Sequence, residues 1–266
     1  MILNSQRTIY GINLQFNLLT QKPHKELINT TLNEKFNVIP QYPIPIGIYP
    51  KLQYYAIGIG GTDIIDNTSY KYSKHRSIDG ALFQHIPFVV REVTADLNSL
   101  ERTRYRFRVT QNINGIEYAL YYLKVIPKII NRDGLFEVET KNGISKLQYM
   151  DTNRSDILNP VPRIVENYLD PSKNVYIAKT IKTEFSLYAD EMAEIKAGID
   201  LLGFTGNITE IAVCSGIDVE TTDENEASNV VVNYFVEVDI NTTLYINTTT
   251  DFIRNIELAG VEAMTL

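Results

Sequence analysis

The 266-residue chain has little of what catalytic or secreted proteins carry. It has one cysteine, Cys214, so no intrachain disulfide can form. That thiol closes the apolar run Ile211-Ala212-Val213-Cys214 with no histidine near it in sequence. It reads as a small buried hydrophobe and not as a nucleophile. Without a disulfide framework, maturation in a reducing cytosol is expected. There is no tryptophan, and histidine occurs only at His24, His75 and His85. None of the three forms a His-x-His or His-x-x-x-His pair, so a zinc site has few donors. His75, in a basic stretch, and His85, beside Ile86-Pro87, read as surface or boundary residues. No Gly-x-Ser-x-Gly elbow occurs. No run approaches the roughly 18 apolar residues of a membrane span, and no basic-then-apolar leader opens the sequence.

Positive charge is also in short supply. Lysine and arginine number 25 against 32 aspartate and glutamate, a formal net charge of −7. Binding along a phosphate backbone needs clustered cations, so nucleic acid is not an expected partner. A glycosidase needs two carboxylates across a cleft, usually with stacking aromatics. The acidic stretch Asp218, Glu220, Asp223, Glu224, Glu226 lacks the ordered ligands and central glycine of a calcium loop and reads as a solvated loop. Gly58-x-Gly60-Gly61 lacks a third glycine at dinucleotide spacing and has no Lys-Ser/Thr pair, so it reads as a tight turn or bulge. No constellation able to carry a reaction emerges. The chain is expected to be non-enzymatic, with no cofactor and no metal.

What is present is ample for a core: 44% of residues are hydrophobic and 21% charged. Residues 1–50 are expected to form an extended N-terminal arm. Ile9, Ile12, Leu14, Phe16 and Leu18 suggest a short strand. The prolines of Pro40-Gln41-Tyr42-Pro43-Ile44-Pro45 and Pro50 exclude a helix or a central strand. Tyr42, Ile44, Ile46 and Ile48 then need an apolar surface, on this chain or on a neighbour. Residues 51–266 read as a β-rich body with a candidate boundary near 150–175, and residues 68–85 as a polar surface loop.

The strongest local signal is a hairpin. Arg102 to Val109 repeats with period two, Asn114-Gly115 is a type I′ turn pair, and Ile116 to Val125 returns. This sets Phe107 opposite Tyr122, Val109 opposite Leu120 and Arg106 opposite Leu123. Arg102, Arg104, Arg106 and Arg108 then share one face with Tyr121. Four like charges in a row need compensation. It could come from Glu92, Asp96 or Glu101, from nucleic acid, or from the 218–226 stretch of a neighbouring subunit. Protein carboxylates suit arginine's planar fork and fit the acidic balance better than phosphate. Met192, Ile195, Ile199 and Leu202 give a helix over about 187–202, with Ser186 a candidate N-cap and Gly203 a stop. Val230, Val232, Tyr234, Val236, Val238 and Ile240 give a long strand. The class is α+β: mainly antiparallel sheet, sandwich or barrel-like, with one covering helix.

The stretches Tyr49-Pro50-Lys51-Leu52-Gln53-Tyr54-Tyr55 and His75-Arg76-Ser77-Ile78-Asp79-Gly80-Ala81-Leu82-Phe83, with the Arg104–Lys124 hairpin, resemble virion structural proteins of large tailed bacteriophages. The Asn-, Ile-, Tyr- and Lys-rich vocabulary of an A/T-rich genome agrees with that. The resemblance covers about a third of the chain. It implies a ring-forming homo-oligomer, six-fold or twelve-fold, in the neck, tail or baseplate. It also implies contacts with other virion proteins, and residence in the virion after assembly in the host cytoplasm. The arm and the two charged stretches would be the subunit contacts. A tyrosine-rich module for carbohydrate or a host surface is the alternative. An enzyme with a dispersed carboxylate site and a DNA-contacting protein using the arginines are further readings.

Overall fold

The computed structural model describes residues 4–23, 32–36, 46–66, 69–72, 75–127, 129–131, 135–141, 144–151, 153, 159, 173–185, 187–206, 208–222, 233–247 and 256–263. The chain is α+β, and every described strand pair is antiparallel. It divides into two compact units. The first takes Met1–Ile126 and Leu187–Arg254, the second Pro127–Ser186 and Asn255–Leu266. The division therefore falls near 126 and 186, and not at 150–175. The cause is a distant partner: β15 (Ile256–Ala263) pairs along β12 (Lys173–Phe185), which no linear reading of composition reveals.

In the second unit, β10 (Leu135–Lys141) and β11 (Ile144–Met150) form a hairpin. The former also pairs with β12, as does the short β9 (Ile129–Asn131). The first unit is an eight-stranded sheet. Its main path is β1 (Asn4–Arg7), β14 (Asn233–Asn247), β13 (Glu210–Thr222), β2 (Lys51–Gly58), β8 (Ile116–Val125) and β6 (Val89–Glu92). Onto this path, β5 (His85–Ile86) adds beside β2 and β7 (Tyr105–Ile113) beside β8. A small hairpin, β3 (Thr62–Asp66) with β4 (Ser69–Tyr72), occupies part of the expected polar loop.

The N-terminal residues are not an extended arm where they are described. Asn4–Arg7 pair with Leu244–Asn247 of β14, and Ile9–Thr20 form helix α1. The alternation Ile12, Leu14, Phe16, Leu18 suggests a strand, but Tyr10, Leu14 and Leu18 also fit a helical repeat. Thr8 decides between them: its extended backbone and its Oγ1, which accepts from Gly11 N at 3.1 Å, make it an N-cap. Gln21 ends the helix in the left-handed conformation, φ 53°. A second short helix, α2 (Leu32–Lys35), buries Leu32 completely. Tyr42 and Ile44 lie outside the described residues, whereas Ile46 is 94% exposed and Ile48 45%.

The hairpin forms as expected, with Asn114 at φ 53° and Gly115 at φ 86° in the turn. Arg106 faces Leu123 and Val109 faces Leu120. Between the pairs Arg106–Leu123 and Arg108–Tyr121, which keep the expected register, the backbone at Phe107 turns to φ 59°. Period two fails there, so Tyr105, Arg106 and Phe107 are all buried in succession. Helix α4 spans Ala189–Leu201, between the expected bounds, and Gly203 leaves it at φ 70°. Ser186 lies outside the described residues; Tyr188 is the N-cap. The main core joins Leu32, Tyr54, Ala56, Leu82, Phe107, Leu120, Tyr122, Leu123, Ala212 and Cys214. Phe36 inserts into it, edge-on to Phe107 and His85 at 5.4 Å each.

Candidate functional site

The four arginines do not share a strand face. Arg102 closes the one-turn helix α3 (Ser99–Arg102), Arg104 is exposed in the turn that follows, and only Arg106 and Arg108 lie on β7. Asn98-x-x-Glu101 builds that turn as a capping box. Asn98 Oδ1 accepts from Leu100 N and Glu101 N at 3.0 Å, and Glu101 Oε2 accepts from Asn98 N at 3.0 Å. This sequence signal, overridden by the arginine alternation, moves the strand start to Tyr105.

The compensation is intramolecular. Asp96 Oδ2 accepts from Arg102 Nη2 and Arg108 Nε, both at 2.8 Å, while Oδ1 accepts from Tyr121 OH at 2.9 Å and Leu97 N at 2.7 Å. Burial works against the Asp96 carboxylate, but the bonds from Arg108 and Tyr121 prevail and hold it below the usual carboxylate range. Arg106 is buried and forks onto Asp218, Nε to Oδ1 at 3.0 Å and Nη2 to Oδ2 at 2.9 Å. Its Nη1 donates to the carbonyls of Arg102, Thr103 and Tyr105 at 2.7, 3.1 and 2.9 Å. Tyr54 OH also donates to Asp218. Asp218 thus meets arginine as its charge suggests, but within one chain, and on strand β13 where a loop was expected. Glu220 is on the same strand, its backbone opposite Phe235. Asp223, Glu224 and Glu226 lie outside the described residues.

Two buried acids, Glu210 and Glu191, lie outside the contact residues singled out from the sequence. Glu210 opens β13 with no exposure at all. Its carboxylate accepts from Gly60 N and Gln84 N at 3.0 Å, from Phe83 N at 3.1 Å, and lies 2.7 Å from His75 Nε2. His75 is therefore buried, not superficial, and stacks on Phe83 at 4.0 Å. His85 is buried too: its Nε2 accepts from Leu82 N at 3.1 Å. The glycine cluster is a tight turn, as expected, and Glu210 explains its composition. A Cβ at Gly58 would stand 2.5 Å from Glu210 Oε1 and 2.6 Å from Gln84 O; at Gly60 it would meet Phe83 Cβ at 2.6 Å. The backbone donors that a phosphate would need are already given, Gly60 N to Glu210 and Gly61 N to Thr209 Oγ1 at 3.0 Å. An isolated acid at the head of an apolar strand, facing a glycine turn with no helix behind it, was the available signal.

The second acid, Glu191 in the first turn of α4, binds Lys124 Nζ at 2.6 Å and Tyr105 OH at 2.9 Å, and accepts from Tyr188 N at 2.9 Å. Burial, then the bond to Glu191, pushes the Tyr105 phenol up. Arg91 and Glu194 add a bidentate pair at 2.6 Å. Together these ionic contacts fasten α4 to the sheet. An open groove along α4, lined by Met192, Ile199, Phe204 and Ile208, carries one carboxylate, Asp200. Among the described residues, no group of three or more His, Cys, Asp or Glu is placed to hold a metal ion.

No curated protein and no solved structure matches the chain. A family model runs through both units, from residue 3 to residue 257, and the chain accordingly belongs to the family of unknown function DUF7208.

Proposed function

We propose that the chain is a non-enzymatic assembly protein, a ring-forming subunit of a tailed-phage virion in the tail, neck or baseplate. One observation carries the assembly reading: unpaired apolar surface gathers on the N-terminal segment. On α1, Phe16 is 61% exposed, Leu18 48% and Leu19 67%, and the helix contains no charged residue. Ile46 and Ile48 add to this, and Tyr49 OH, bonded to Lys22 O at 2.9 Å, ties their segment to the end of α1. Exposed apolar surface of this kind marks a contact with another polypeptide. The virion assignment rests on the resemblance of the sequence.

The subunit contact now differs from an arginine face meeting an acidic loop. Asp96 and Asp218 already occupy Arg102, Arg106 and Arg108, so association rests on apolar burial and resists salt. Light scattering at low and high ionic strength should show the same oligomer in both, six-fold or twelve-fold if the resemblance holds. A Phe16→Ser, Leu19→Ser variant should shift to monomer with its circular dichroism unchanged. A strict monomer, alone and with cognate virion proteins, would refute the reading. Tyr54, Tyr55, Tyr105, Tyr121 and Tyr122 are buried and closed to stacking on a sugar, while the exposed Tyr149 and Tyr188 belong to different units.

A further inference from the structure

The segment from His75 to His85 is where the N-terminal helices fasten to the sheet. From α1, Ile9 N donates to Ser77 O at 2.8 Å and Tyr10 OH to Ile78 O at 3.0 Å. From α2, Lys35 Nζ donates to Leu82 O at 3.1 Å, and the following Phe36 sets its ring edge-on to His85. On the sheet side, Phe83 N and Gln84 N donate to Glu210, Gln84 O accepts from Ile59 N at 3.0 Å, and His85 pairs with Gly58. These eleven residues, which contain two of the three histidines, thus add to the direct contacts of the helices with the sheet, where β1 pairs with β14 ahead of α1 and Leu32 and Phe36 enter the main core.

The two histidines differ in what their ring nitrogens meet. His75 has Nε2 2.7 Å from Glu210 Oε2 and Nδ1 3.7 Å from Asp79 Oδ2, so both of its nitrogens face carboxylates. His85 uses Nε2 as an acceptor from a backbone N–H, which requires a neutral ring with its proton on Nδ1. Protonating Nε2 abolishes that bond and places two donors face to face. It also creates a charge in a fully buried ring whose Nδ1 meets no hydrogen-bond partner among the described residues.

We propose that His75–His85 is an acid-sensitive latch, in which protonation of His85 releases Leu82 and loosens the attachment of α1 and α2 to this segment. The titratable groups around the ring are Lys35 on α2 and His75 in the segment itself, with Glu210 of β13 and Asp79 behind His75; β8 contributes Tyr122, edge-on at 6.5 Å. Burial, reinforced by Lys35 and His75, holds the closed-state imidazole well below the ordinary histidine range. The closed latch therefore excludes the proton and the open one accepts it near the free value of about 6.5. Closure is strongest above that pH and weakens below it, opening about fivefold more often over the first pH unit of acidification and nearing about tenfold per unit beyond it.

Hydrogen exchange on the full chain, corrected for the intrinsic effect of pH, tests this. Between pH 6.5 and 5.5, amides of 9–20 and 77–84 should lose about fivefold in protection while those of 116–125 hold theirs. His85→Gln, whose amide oxygen can accept from Leu82 N without titrating, should flatten the response; His75→Gln should retain it. Should His85→Gln fail to fold, imidazole NMR of the unmodified protein decides. A His85 ring that titrates at an ordinary midpoint while residues 9–20 stay protected would overturn the latch, and so would uniform loss of protection across the sheet.

Discussion

At the scale of single residues, the chain spends its buried charge on joining segments far apart in sequence. Glu210 is the clearest case, an ion with no water contact whose two oxygens are filled by three backbone amides and an imidazole. Charge-assisted bonds of this kind stabilise only while the charge is present; without it, four donors remain buried and unanswered. Glu210→Ala should therefore cost about 3–5 kcal/mol, the range for breaking a buried ion's partnership. Chemical denaturation reads this as a lower midpoint with little change in slope. A loss below 1 kcal/mol would mean that water enters and replaces the carboxylate. Arg106 with Asp218 works in the same way, joining β7 to β13. The sequence shows the acids and bases, but not their partners, because each pair is separated by more than a hundred positions.

Among the elements, the β7–β8 hairpin was the most legible, since its register follows from two turn residues and the alternation on either side. Gly115 stands at φ 86° with open space where a Cβ would go, so Gly115→Ala meets backbone strain and no clash. It should cost about 1–2 kcal/mol, the penalty of an L-residue in the left-handed region. A thermal melt checks this; a stability equal to the parent's would show that the turn relaxes. The same alternation misleads at both ends of the argument. It overstates the strand at Arg102 and Arg104, where the Asn98 capping box forms a helical turn, and it hides α1 behind Ile12, Leu14, Phe16 and Leu18. In each case the capping residue, Asn98 or Thr8, is the better guide, because it satisfies orphan amides that period counting ignores. The acidic stretch fails for another reason. Asp218 and Glu220 belong to β13 because β14 lies beside them, and that partner begins beyond the stretch itself.

Seen as a whole molecule, the chain is interleaved. The first unit is interrupted by residues 127–186, and the second is finished only after the return through β13 and β14. Neither boundary leaves a mark in composition, so the sequence offers a candidate boundary at 150–175 and not the divisions near 126 and 186, whereas the α+β, antiparallel class was legible. β12 carries β10 and β9 along one side and β15 along the other. Deleting residues 256–263 should therefore strip protection from the amides of 135–141 and 173–185 in hydrogen exchange, while 116–125 in the other unit keep theirs. Equal loss in both would show that the units stand or fall together.

The return of β15 also sets an order of events at the ribosome. β12 emerges long before the strand that completes its sheet, and the whole β13–β14 hairpin is made in the interval. Throughout that time the nascent chain holds an open β edge, the kind of edge that recruits strands from other chains. Slow translation across residues 186–255 would lengthen that exposure, and polysomes, which crowd such edges together, are where its wrong pairings would arise.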